Sequence, residues 1–122
     1  MVPALLAFPA LVGTHWIADF LLQTHWQGIN KSKSNVALSH HVLTYTSCIG
    51  AMSFLILALP QSRLAWLAFI AINGTLHFAT DYVSSRCSAR LRTMPARLVR
   101  AGLDQLIHHL TLAATLWLAF YR

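Results

Sequence analysis

The sequence predicts an all-α protein, a four-helix transmembrane bundle with both termini outside the cytoplasm. Three observations carry this. Hydrophobic residues make up 57% of the 122 and charged residues only 10%, with a mean hydropathy of +0.56; a soluble domain is about 25% charged. Four apolar stretches, residues 3–24, 36–59, 64–84 and 102–121, each approach the roughly 20 residues that an α-helix needs to cross about 30 Å of hydrocarbon. The basic residues gather in alternate connections: Lys31 and Lys33 in the first, Arg86, Arg90, Arg92, Arg97 and Arg100 in the third, against Arg63 and Arg122 on the other side. Basic connections stay in the cytoplasm. Residues 25–35 and 85–101 therefore face inward, and residues 1–122 form a single integral membrane domain. The expected location is a bacterial inner membrane, crossed several times, or the host inner membrane if a phage encodes the chain.

The first helix, residues 3–24, has no Lys or Arg before it and no small-residue cleavage pattern, so it is expected to be retained rather than removed as a signal peptide. Its polar residues His15, Asp19 and Gln23 recur every four positions and drift about 40° per step, because four residues overshoot a 3.6-residue turn. The second helix, 36–59, opens with His40 and His41, whose side chains point about 100° apart. The third, 64–84, carries a stripe of Asn73, His77, Asp81 and Ser84. In the connection that follows, Leu91, Met94 and Leu98 recur at helical spacing among arginines, and Pro95 suits the first turn of a short helix at the interface. The fourth helix, 102–121, sets Asp104, His108, Thr111 and Thr115 on one face and aligns Gln105 with His109. Trp26 and Tyr82 mark the inner interface, and Trp66, Trp117 and Tyr121 the outer one. Cys48 and Cys87 are too few and too separate for a disulfide framework.

The chain has only three acids and seven histidines. Each acid lies four residues from a histidine: His15 with Asp19, His77 with Asp81, Asp104 with His108. That spacing puts both side chains on one helix face, one turn apart. All three pairs fall within about two turns of the cytoplasmic ends, so antiparallel helices bring them to one layer. Imidazole and carboxylate are ligands for divalent transition metals, and a cation offsets the cost of carboxylates in hydrocarbon. The expected ligands are His15, Asp19, His40, His77, Asp81, Asp104 and His108, holding one or two ions, zinc first. His40 and His108 are taken as the inward members of their adjacent pairs. Gln23, His41, Asn73, Gln105 and His109 are expected to support them.

A metal with an open position generates a nucleophile from water near neutral pH, which makes hydrolysis the natural reaction, with Asp19, Asp81 and Asp104 as catalytic candidates. Arginine forks suit phosphate, so Arg86, Arg90 and Arg97 are expected to hold an anionic lipid headgroup or another amphipathic substrate. Two alternatives use the same residues: a metal-ion or proton transporter, and a noncatalytic membrane scaffold or phage accessory protein. Nucleic acid is not an expected partner despite the net charge of +6, because the positive charge follows the topology. A homo-oligomer is compatible with the sequence.

The segments HWIADFLLQ at 15–23, His40, NGTLHFATD at 73–81 and DQLIH at 104–108 resemble a family of small bacterial and phage integral membrane proteins, the domain of unknown function 3307 family. The resemblance covers nearly the whole chain and implies that His15, Asp19, Gln23, His40, His77, Asp81, Asp104, Gln105 and His108 are its characteristic polar positions. It implies no activity. A looser likeness to inner-membrane metal-dependent hydrolases has no residue-by-residue match.

Overall fold

A computed structural model describes residues 3–57 and 62–122. Every element in it is helical. Helix α1 runs Ala4–Trp16 and passes without a break into a π-helical turn, Ile17–Leu21. A short helix α2, His25–Asn30, follows, and three long ones complete the chain: α3 Asn35–Ile56, α4 Arg63–Ser88 and α5 Met94–Phe120. Helix α1 packs on α3 and α5, α3 on α4, and α4 on α5, closing a four-membered ring with α1 diagonal to α4.

Side-chain caps fix the helix starts. The hydroxyls of Ser34, Ser62 and Thr93 accept from the backbone N–H groups of Ala37, Ala65 and Ala96. Thr24 and Gln27 form a reciprocal capping box that nucleates α2 inside the stretch expected to be only a connection. Helix α5 also departs from expectation. It begins at Met94 with Pro95 in its first turn and continues through Gly102, so the separate interfacial helix does not exist. Pro95 does mark a helix start, but no breaker lies between it and the fourth apolar stretch. An added Cβ at Gly102 would meet nothing within 4 Å. Helix α4 continues four residues past its expected end, with Arg86 in the last turn, where a cation favours the helix C-terminus. The expected end of the second helix, at residues 58 and 59, lies outside the described residues.

The bundle interior has two halves. One half is apolar and contains Leu11, Ile49, Phe69, Leu112 and Leu116. The other is polar, with His15, Asp19, His41, His77, Asp81 and His108 all buried. The outer surface is the reverse, since Leu5, Leu43, Leu55, Leu64 and Leu110 are all more than half exposed. Among the described residues one helical stretch, Ala4–Leu21, is by itself long and apolar enough to cross a membrane.

Helices α3 and α4 approach closely at Gly74. A Cβ at Gly74 would stand 2.8 Å from Thr46 Oγ1, inside contact distance. We expect Gly74→Ala to lower stability by about 1–3 kcal/mol, as overpacking does. The readout is the thermal midpoint of the purified protein, and adding Thr46→Ala should restore most of the loss. An equal loss in both backgrounds would refute the contact.

Candidate metal centre

Four histidines, one from each helix of the ring, converge. His15 comes from α1, His41 from α3, His77 from α4 and His108 from α5, and each is at most 4% exposed. The His77 ring stacks on Tyr45 at 3.8 Å and on His108 at 4.2 Å, with the His15 ring edge-on at 5.6 Å. Packing therefore holds the imidazoles in place. The Nε2 atoms of His41 and His77 stand 3.2 Å apart.

Two carboxylates lie among these rings. Asp81 Oδ1 is 3.0 Å from His108 Nε2, and its Oδ2 is 3.1 Å from His41 Nε2. The same Oδ2 accepts from Lys31 Nζ at 3.0 Å. Asp19 sits in the π turn, where Leu22 N–H reaches back to Ile17 O across one extra residue. Such turns often mark functional positions. Asp19 Oδ1 lies 3.5 Å from His77 Nε2 and 3.6 Å from His41 Nε2, without a hydrogen bond to either. His15 Nε2 is 3.0 Å from Asp19 Oδ2, yet neither ring nitrogen of His15 has a hydrogen-bond partner, so this contact is close but misaligned. Buried polar atoms are normally satisfied.

These residues fit a metal ion. His15, Asp19, His77 and His108 each offer one ligand atom, all within 4.8 Å of one another. Two overlapping groups, His41 with His77 and Asp81, and Asp81 with Asp104 and His108, meet the same condition. A tetrahedral zinc with bonds of about 2.0–2.1 Å has ligands roughly 3.4 Å apart, a value bracketed by the His15–Asp19 separation of 3.0 Å and the Asp19–His77 separation of 3.5 Å. The unpartnered His15 Nε2 and Asp19 Oδ1 are the atoms that a cation would satisfy.

On α3 the inward histidine is His41, not the expected His40. His40 is exposed and edge-on to Trp26 at 5.9 Å, whereas His41 enters the cluster. The buried face of α3 runs Leu38, His41, Tyr45, Ile49, and His40 lies about 100° away from it. The four-residue repeat from His41 through Tyr45 and Ile49 to Ser53 was the available signal. Asp104 lies at the rim, 3.8 Å from His108, with its Oδ1 accepting from Ser84 Oγ and its Oδ2 from Gln105 Nε2 at 3.3 Å. Half-buried His109 packs edge-on against His15. Asn73 joins α4 to α5 by donating to Thr115 Oγ1 at 2.8 Å.

Above the cluster opens a cavity of about 470 Å³. Asp19, Gln23, Asp104 and Gln105 border it, together with Lys31, Arg97 and Arg100. Of the three arginines expected to hold an anion, only Arg97 lines it. Arg86 instead lies over the Tyr82 ring at 3.7 Å and donates to Asn35 Oδ1 at 2.7 Å, clamping α4 to α3. Arg90 is exposed beyond the end of α4. Lys31, expected only to orient the first connection, reaches Asp81 with its flexible stem.

Lys31→Met should destabilise the protein by about 1–3 kcal/mol, less than the 3–5 typical of breaking a fully buried pair, because the Lys31 side chain is 23% exposed. Asp81→Asn should then cost less in that background than alone. Additive losses in chemical denaturation would remove Lys31 from the cluster.

No curated protein and no solved structure matches the chain. A family model described as "Protein of unknown function (DUF3307)" matches residues 7–121, nearly the entire length. The chain thus belongs to the DUF3307 family.

Proposed function

We propose that the chain is a four-helix integral membrane protein that binds a divalent transition metal, zinc first, and hydrolyses an amphipathic, phosphate-bearing substrate. One observation carries the proposal: buried His15 Nε2 and Asp19 Oδ1 have no hydrogen-bond partners within a four-histidine cluster at the foot of an open polar cavity. His15, Asp19, His77 and His108 would hold the ion, with His41 and Asp81 against them. A metal there supplies a Lewis acid for a phosphoryl oxygen and activates water near neutral pH.

The chain's own residues supply the rest. Asp104, held by Ser84 and Gln105, presents its carboxylate at the cavity wall, where it can take a proton from attacking water. Asp81 orients His108 and His41 while Lys31 offsets its charge. The apolar half of the core, with Phe69, Leu112 and Leu116, keeps water from passing through the bundle. Asn73 and Thr115, the polar pair at the boundary, bond to each other. This arrangement favours hydrolysis over a transport path, which needs polar groups continuing to the far end.

The membrane reading rests on the inverted distribution of polarity. Helices α3, α4 and α5 have 22, 26 and 27 residues, long enough to span. The residues that lower their hydropathy include His41, Ser53, Asn73, His77, Asp81 and His108, all buried inside the ring. Lipid would meet leucine, isoleucine and phenylalanine. Soluble monomers rarely expose apolar surface on this scale.

Purified protein should carry one or two equivalents of a transition metal by elemental analysis. His77→Ala and Asp19→Asn should lose it, whereas His40→Ala should keep it. Metal-free wild type under zinc-replete growth would sink the proposal. The orientation has its own test. Exposed Cys87 should react with a membrane-impermeant maleimide only after intact cells are permeabilised. Labelling without permeabilisation would reverse the topology.

A further inference from the structure

We infer that the cavity contains a dedicated phosphate-binding site built by Arg100, Arg97 and Ser85, separate from the metal ligands. The guanidinium of Arg100 carries the argument. Arg100 is only partly exposed, its Nε is buried without a hydrogen-bond partner, and no ion pair joins it to any acid among the described residues. Asp104 lies four residues further on and would be its natural partner on one helix face. That carboxylate is instead engaged by Ser84 and Gln105. A half-buried cation without an anion is costly, and an arriving anion removes the cost.

Two neighbours complete the site. Ser85 is 8% exposed, and its Oγ is also without a partner, although Ser85 lines the same cavity. Arg97 lies one turn before Arg100 on α5. Its Nε donates to Leu91 O at 2.9 Å, which fixes the side chain and leaves the two terminal nitrogens of the fork for a ligand. Two planar forks and a hydroxyl donor match the several acceptor oxygens of a phosphate group. Lys31 and Gln23 border the same space. The apolar outer face of α5 beside it, with Leu98, Val99 and Leu103 exposed, suits a phosphate that belongs to a lipid. Free phosphate has the same chemistry. The inference rests on the proposed function only in naming phosphate as the group on the substrate, since none of these three residues belongs to the His/Asp cluster.

The test uses full-length protein, stripped of metal with a chelator and held in neutral detergent or in nanodiscs, so its outcome is independent of metal content and activity. Inorganic phosphate is titrated against the detergent-solubilised protein, and phosphatidate-containing nanodiscs are compared with phosphatidylcholine-only ones, by change in thermal midpoint. Arg100→Gln should weaken the response roughly tenfold to a hundredfold, as loss of a charge-assisted hydrogen bond does. Ser85→Ala breaks no internal hydrogen bond and should also weaken it. Arg90→Gln should not. Response to inorganic phosphate supports the site with a soluble ligand, and response to phosphatidate alone supports it with a lipid headgroup. No response to either, or a response that Arg100→Gln and Ser85→Ala leave intact, overturns the inference.

Discussion

Asp81 is the point at which the chain is tied together. Its two oxygens lie within 3.1 Å of His108 Nε2, His41 Nε2 and Lys31 Nζ, so one carboxylate of α4 joins α5, α3 and the segment after α2. The residue is 2% exposed. A carboxylate so buried is tolerated only when its partners are in place, and removing one leaves an uncompensated charge. Apolar contacts along a bundle allow helices to slide, whereas these contacts have direction and length. They therefore set the register in which α3, α4 and α5 meet. In the bilayer proposed for the protein, lipid chains are as apolar as leucine and provide no hydrophobic drive for helix association. The polar layer and the close approach at Gly74 then carry that task.

The same constraint explains the irregular end of the first helix. A regular α-helix would have carried Gln23 round with His15 and Asp19 as one drifting stripe. The π turn inserts an extra residue at Ile17–Leu21, closing with the Leu22 to Ile17 bond, and Gln23 falls beyond the helix at the border of the cavity. Asp19 is thereby placed between His15 on its own helix and His77 on the diagonal helix, with His41 of α3 beside them.

Much of this was legible in the residues, for a physical reason. The four-residue spacing of His15 with Asp19, His77 with Asp81 and Asp104 with His108 depends only on helix periodicity, which the sequence displays directly. The helices themselves followed from apolar run length. Contacts made by long flexible side chains or chosen between adjacent residues were not legible. Lys31 has the same sequence signature whether it faces bulk water or folds back onto Asp81. His40 and His41 differ only by rotation about α3, and the rotation is decided by where Leu38, Tyr45 and Ile49 pack. The fusion of the interfacial segment with α5 depends on the absence of a breaker between Pro95 and Gly102, a weaker signal than the arginines clustered around it.

Charge matching inside the bundle ties the cluster to the cavity. Of the three carboxylates, Asp81 has a fixed cation in Lys31. Asp104 is engaged by the neutral donors of Ser84 and Gln105, and Asp19 has only imidazoles within ion-pair distance. Two negative charges are therefore left without a permanent positive partner in direct contact, which is the charge that one divalent ion brings. On the rim, Arg97 and Arg100 have no acidic partner among the described residues. Their positive charges would repel a metal ion but attract a phosphate. A chain that needed only neutrality could have paired these arginines with these aspartates, since Arg100 already stands one turn from Asp104. Keeping them apart leaves unpaired carboxylates and unpaired guanidiniums on the walls of one cavity, the charge pattern that the proposed metal and phosphate sites would use.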